Sequence, residues 1–399
     1  MLPFQMRLLN QRRTTRRPPC WRWRAERAIW TIALFGILPQ GAAAQQSPPP
    51  SDSVSDPRMP GPWSPKRKAT GAGDAAVANA RCEECHKDIA TEWRESYHAK
   101  AYTNRAFQRA LAIEPLPFCK GCHAPEADPN SPLDQRLTRL GIGCVSCHVV
   151  DGSVIAAPAT RPEGGHAVSR LSGFGTVAAC ANCHQFAFPA EPATASALLM
   201  QSTVLEHATG PFANIACAAC HMPRASDGHA DHRFNITRVA DLLKGAVRVA
   251  AHRVDSRTVA ITLSTSGVGH AMPTGDLFRR LEISIDAVGP EQSAIASASV
   301  YLTRRFGIRR APGGFKRRGS LGDDRLGVGE QNPREIRLTL DREAGPWPIA
   351  WRVAYQRVEH PGKVGQPDAV IDSEVEIAAG VLAPGVGLPQ VDASTTSRP

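Results

Sequence analysis

The spacing of apolar and polar positions changes character several times along the chain. Residues 28–38 form one apolar run, bracketed by arginines before it and small residues after it. Residues 45–79 carry few apolar side chains, and residues 80–238 are short segments broken by glycine and proline with no sustained period. From residue 239 to about 382 the apolar positions return in short runs at Ala246–Val254, Thr258–Ser264, Leu281–Val288, Ile295–Leu302, Glu335–Leu340 and Ile349–Tyr355, separated by glycine, proline or charge. Alternation with a period of two over four to eight residues marks half-buried strands. Repeated at this density it predicts a sandwich of roughly seven strands. Residues 383–399 show no pattern and read as a polar tail. The expected fold class is therefore α + β in separate regions, short helices first and an all-β, sandwich-like domain second.

The N-terminus reads as a targeting segment. Eight arginines and no lysine precede the apolar run Ala28–Leu38, and Ala42-Ala43-Ala44 offers a small-residue cleavage site before Gln45. Eleven residues are too few to cross about 30 Å of hydrocarbon, so residues 1–44 are expected to be removed, with an uncleaved interfacial anchor as the alternative. The general secretory route is favoured over the twin-arginine one suggested by Arg12-Arg13 and Arg16-Arg17. Residues 45–79, rich in proline and serine, are expected to be a disordered tether. Export changes the meaning of the charge. Removing eight arginines and Glu26 lowers the formal net charge from +10 to +3. That leaves no dense basic surface of the kind nucleic-acid binding needs.

Eleven cysteines are present. Cys20 lies in the arginine-rich stretch; the other ten form five copies of Cys-x-x-Cys-His, at Cys82-Cys85-His86, Cys119-Cys122-His123, Cys144-Cys147-His148, Cys180-Cys183-His184 and Cys217-Cys220-His221. Two thiols three positions apart can each form a thioether to one haem, and the adjacent histidine then presents its imidazole to the iron. Zinc ribbons pair cysteines in the same way but need no histidine after each pair, and a disulfide framework would scatter its cysteines at varied separations. Five haem c groups, covalently attached, are the expected cofactors. Successive motifs start 37, 25, 36 and 37 residues apart. So little chain around each haem cannot bury a large apolar core. The macrocycles are expected to supply that core, packed by short helices, and the apoprotein to be largely unfolded.

A low-spin haem needs a second axial ligand, usually His or Met. Eight histidines lie outside the motifs (His98, His166, His207, His229, His232, His252, His270 and His360), while only four methionines follow residue 44, which favours bis-histidine ligation. The segments Cys82–Tyr102 (with Glu92-Trp93, Ser96 and His98), Cys217–Phe234 (with Met222-Pro223 and His232-Arg233-Phe234) and Val268-Gly269-His270 with Pro273-Thr274-Gly275 resemble the multihaem cytochromes related to cytochrome c-554 and hydroxylamine oxidoreductase. The resemblance covers about residues 80–290. It implies His98 and His232 as distal ligands to haems other than their nearest in sequence, and His270 as a ligand that reaches from the β region to the haem region. His207 and His166 complete the set, with His229 as a substitute for His232; His252 and His360 read as ordinary strand or loop residues.

The arginine-rich stretch Arg304–Arg318 reads as a solvated loop, with docking of an acidic redox partner or contact to haem propionates as the sharper alternative. The favoured function is electron transfer in the periplasm, between redox partner proteins or a quinol-linked chain. Two other classes stand beside it. One is an oxidoreductase acting on a small nitrogen or sulfur compound at an open-coordination haem, for which no Cys-x-x-Cys-Lys motif or crosslinking tyrosine is visible. The other is a sensor whose sandwich binds a ligand while the haems report redox state.

Overall fold

The computed structural model describes residues 74–128, 132, 134–158, 165–188, 198–235, 239–275, 277–310, 316–327, 333–358, 369–385 and 390–391. The targeting segment and the tether up to residue 73 lie outside them, as do His360 and most of the expected C-terminal tail.

The helical region is made of short pieces, three of them started by a capping side chain. Helix α1 (Ala75–Cys85) starts at Asp74, whose carboxylate accepts from the backbone N–H of Ala76 and Val77 at 3.0 and 3.3 Å. This shortens the expected tether, because residues 75–79 are already helical. Helix α2 (Lys87–Glu95) ends at Ser96, whose hydroxyl donates to the Trp93 carbonyl, and Trp93 Nε1 reaches across to Ile142 O at 2.8 Å. Helix α3 (Arg105–Ile113) is capped by Asn104. A 3-10 turn (Pro117–Cys119) leads into α4 (Lys120–His123). Helix α5 (Gln135–Leu140) is capped by Asp134 and stops at Gly141, with φ +60°. A Cβ there would lie 2.6 Å from the carbonyl oxygens of His98 and Ala99, so only glycine lets the chain pass this close.

Helix α6 (Cys144–His148) runs into a small sheet of β1 (Val149–Val150), β2 (Ser153–Ala156) and β3 (Ser169–Arg170). Helix α7 (Ala178–His184) is followed by β4 (Gln185–Ala187), which pairs with β5 (Leu199–Ser202) ahead of α8 (Thr203–Ala208) and α9 (Cys217–His221). Buried apolar clusters in this region are small. One joins Trp93, Leu140 and Val145; another joins Tyr102 and Ala124.

Helix α10 (Val239–Ala246) opens the second region, where the sequence suggests only strands. Two antiparallel four-stranded sheets follow. One runs in the order β12 (Arg334–Thr339), β7 (Thr258–Thr265), β6 (Val247–Arg253), β15 (Gln390–Val391). The other runs β14 (Ile371–Leu382), β13 (Ile349–Val358), β8 (Arg279–Val288), β9 (Ala294–Leu302). Their inner faces share one core that includes Val249, Ile261 and Leu263 from the first sheet and Leu281, Ile283, Ile285 and Val353 from the second. Fully burying each such side chain contributes about 1.5–3 kcal/mol, so this region folds on its own hydrophobic core. The expected sandwich character holds, with differences at three places. Strand β15 recruits part of the expected tail to the edge of β6 through Gln390 and Val391. Strand β14 adds an edge to the second sheet. The expected loop at Arg304–Arg318 is instead a hairpin, β10 (Arg304–Arg310) paired with β11 (Lys316–Asp323), because backbone pairing does not need the apolar alternation that the dense arginines of this stretch hide in the sequence.

The helical and β regions are fastened together by specific contacts. Arg304 donates to the carbonyls of Met200 and Leu199 at 3.1 and 2.7 Å, and the Arg318 guanidinium lies 4.6 Å over the Phe188 ring. Asp372 accepts from Arg109 at 3.0 Å, and Arg357 stacks over Tyr97, the neighbour of His98.

Candidate metal centres

Every Cys-x-x-Cys-His motif lies on a helical turn: the end of α1, the 3-10 turn and α4, then α6, α7 and α9. Residues three apart on a helix share a face. Both thiols of a motif therefore point to the same side, with the histidine directly after them. None of these ten cysteines is joined in a disulfide.

Thiols of different motifs meet one another. Cys82 is in hydrogen-bond contact with Cys144, Cys122 with Cys183, and Cys180 with Cys217. The first motif thus adjoins the third, and the fourth adjoins both the second and the fifth.

Four motif histidines face a histidine from elsewhere in the chain. Ring centroids are 6.2 Å apart for His86 and His166, 6.3 Å for His184 and His98, 6.3 Å for His148 and His232, and 6.2 Å for His221 and His270. A histidine–metal bond of about 2 Å plus roughly 1 Å from ring nitrogen to ring centre puts two axial imidazoles about 6 Å apart on one metal. The gaps have that size.

The nitrogens are set to match. A backbone carbonyl only accepts, so a ring Nδ1 beside one must carry the proton, leaving the Nε2 lone pair for a metal. His123 donates from Nδ1 to Ala101 O at 2.8 Å, His148 to Ile155 O at 3.1 Å, His232 to Ala230 O at 2.7 Å, His270 to Ala271 O at 2.9 Å and His166 to Ala167 O at 3.3 Å. Burial, with His184 and His232 nearby, holds His98 down to about 3, and burial likewise lowers His148, His184 and His221. These imidazoles are neutral at physiological pH, the form that binds metals.

Of the histidines singled out in the sequence, His98, His166, His232 and His270 are placed opposite motif histidines. His207 is buried in α8 with its Cδ2 edge against Gly269, beside His270. His123 stacks on Phe107, with centroids 3.6 Å apart and rings 9° from parallel. His229 is not a substitute ligand. Its Nε2 meets the Glu92 carboxylate at 3.0 Å and its Nδ1 meets Asp227 at 2.5 Å, so both nitrogens are taken. His252 lies on β6, as expected of a strand residue.

The sequence marks Glu92 only as half of the Glu92-Trp93 pair. This buried side chain on α2 also accepts from the His232 backbone N–H at 3.0 Å and from Arg233 Nη1 at 3.1 Å, pinning the loop that carries His232. Its position in the Glu-Trp pair was the available signal; its partners, some 140 residues away, were not. Apolar side chains beside the motifs stand in solvent, among them Phe118, Leu205 and Ile215, where an apolar macrocycle would cover them. The donor set, the gap sizes and this uncovered apolar surface all fit haem.

The comparisons with known proteins agree with that chemistry. Residues 81–149 match the family described as cytochrome c554 and c-prime. No curated protein matches the chain. Among solved structures, a penta-heme cytochrome c552 from Thermochromatium tepidum shares the fold at a TM-score of 0.58 and 20% identity, over 81% of this chain and 100% of that one. The family match falls on the first three motifs and the same motif recurs twice more on helical turns, which together support a multihaem c-type cytochrome.

Proposed function

We propose that the chain is a pentahaem cytochrome that passes electrons between redox partners through closely spaced haems, four of them held between two histidines, in the periplasm or an equivalent oxidising compartment. The observation that carries this reading is the set of four histidine pairs with ring centroids 6.2–6.3 Å apart. In it the five cysteine dyads hold five haem groups by thioethers, and His86, His123, His148, His184 and His221 are the proximal ligands. His166, His232, His98 and His270 complete the first, third, fourth and fifth centres. When bound, each haem supplies an iron that accepts and releases one electron, and two imidazoles favour lower potentials than a His/Met pair.

The protein's own part is spacing and orientation. The helical turns set each thiol pair and imidazole on one side, and backbone carbonyls fix the ring tautomers. The thiol contacts between motifs bring the first centre next to the third and make the fourth a junction between the second and fifth. Such adjacency supports transfer from centre to centre. The donor and acceptor are redox proteins or a quinol-linked chain, and the apolar run at residues 28–38 supports export.

Low-temperature EPR of the oxidised holoprotein tests this. Low-spin signals for at least four haems are expected, unchanged by nitrite or hydroxylamine. A majority of high-spin haem would overturn the bis-histidine assignment, and a high-spin signal that shifts with those compounds would make the protein an enzyme.

A further inference from the structure

His270 comes from the β region, 49 residues after His221, and its position depends on how that region is fastened to the helices. A buried polar cluster sits at this junction. Glu206, on α8, keeps 11% of its side chain exposed. Its Oε1 accepts from Ser202 Oγ at 2.6 Å and Arg325 Nη2 at 2.8 Å, and its Oε2 accepts from Thr274 Oγ1 at 2.5 Å. Arg325, with a side chain 4% exposed, follows β11 and places its other donors on Asp323 and on the Pro273 carbonyl at 3.1 Å. Thr274 also meets Thr203 Oγ1 at 3.0 Å, and Met272 exchanges two backbone hydrogen bonds with Leu326, each 2.9 Å.

The segment directly after His270 is thus held on both sides, residue by residue, from 272 to 274. Before His270 the fit is equally close: a Cβ on Gly210 would lie 2.4 Å from Gly269 O. The ring itself is tied to this segment through Ala271 O. A buried ion pair is weak evidence of stability, since a well-packed apolar replacement often does as well. What charge-assisted, multiply bonded pairs provide is direction. A functional ligand must be held to within about 0.5 Å of its working geometry by the residues around it.

We propose that Glu206 and Arg325 are positioning residues, a buried carboxylate–guanidinium latch that holds the His270 segment opposite His221 and so keeps the fifth centre six-coordinate. The proposal rests on the reading of His221 and His270 as one iron's two ligands. It makes the β sandwich a part of the redox centre: the latch transmits the docking of the two regions to a single axial bond.

The test compares the wild-type holoprotein with His270→Ala, Glu206→Gln, Arg325→Leu, Thr274→Val and Thr274→Ser, each read by EPR and by carbon monoxide binding to the reduced form. His270→Ala is expected to lose one haem equivalent of low-spin signal, gain one carbon monoxide site per chain and recover its low-spin signal with added imidazole. Glu206→Gln and Arg325→Leu are expected to lose at least half of that same equivalent. Thr274→Val, which leaves the ion pair in place, is expected to lose a smaller share, and Thr274→Ser, which keeps the hydroxyl, to retain the wild-type spectrum. If His270→Ala shows the loss while Glu206→Gln and Arg325→Leu do not, the latch is refuted and the ligand assignment stands. Should those two variants fail to fold, an unchanged Thr274→Val spectrum refutes it. If His270→Ala itself keeps every low-spin signal, the ligand assignment fails and the latch with it.

Discussion

Single residues decide where the candidate axial ligands sit. Gly141 is the sharpest case, since its φ of +60° and the 2.6 Å approach to the His98 carbonyl leave no room for a side chain. Gly141→Ala is expected to displace His98 and to convert part of the haem held by His184 from low to high spin, as read by EPR. His229 makes a second prediction. Burial works against its charge, but Glu92 and Asp227 hold its pKa above the usual value. A raised pKa in the folded state means that the stability His229 contributes is fully present below about pH 6.5 and is lost as pH rises through the folded value. The melting temperature of the helical region should therefore fall as pH rises through that range, and His229→Gln should flatten this dependence. At this scale the motif cysteines and histidines were fully legible, because thioether chemistry needs them contiguous. The distal residues were legible only where a local pattern surrounds them, as at Gly269-His270 and Pro273-Thr274. His207 stands in no such pattern, and no sequence signal joins Glu206 to Arg325 across 119 positions.

Elements differ in how openly the sequence announces them. Strands β6, β7, β8, β9, β12 and β13 follow from alternation, because one face of each is buried in a shared core. The hairpin of β10 and β11 does not, since runs of consecutive arginines break the apolar–polar alternation and its pairing is carried by the backbone. The motif helices α4, α6, α7 and α9 carry almost no periodic signal, because at four to seven residues each they span at most two turns. Motif position is more informative than helix pattern here. The α7 motif adjoins two others through Cys183 and Cys180. Replacing both of these cysteines with alanine should remove one haem and also slow electron equilibration between the second and fifth centres, measured by flash reduction. Replacing Cys82 and Cys85 should remove one haem and leave that equilibration at its wild-type rate.

The whole molecule joins a region with its own hydrophobic core to one whose buried apolar clusters are small. The division was visible in the sequence as the switch from paired cysteines to alternating strands. The fastening was not, because Arg304, Arg325, Asp372 and Arg357 make contacts that only the folded chain brings together. If the five dyads hold haem as proposed, the helical region depends for its stability on what they bind. The most direct measurement is the haem content of the purified, exported protein, from the pyridine haemochrome spectrum combined with the intact mass of the denatured chain. Five haems retained covalently per chain are predicted. A chain that carries none, or that holds zinc at its cysteines instead, would contradict the account.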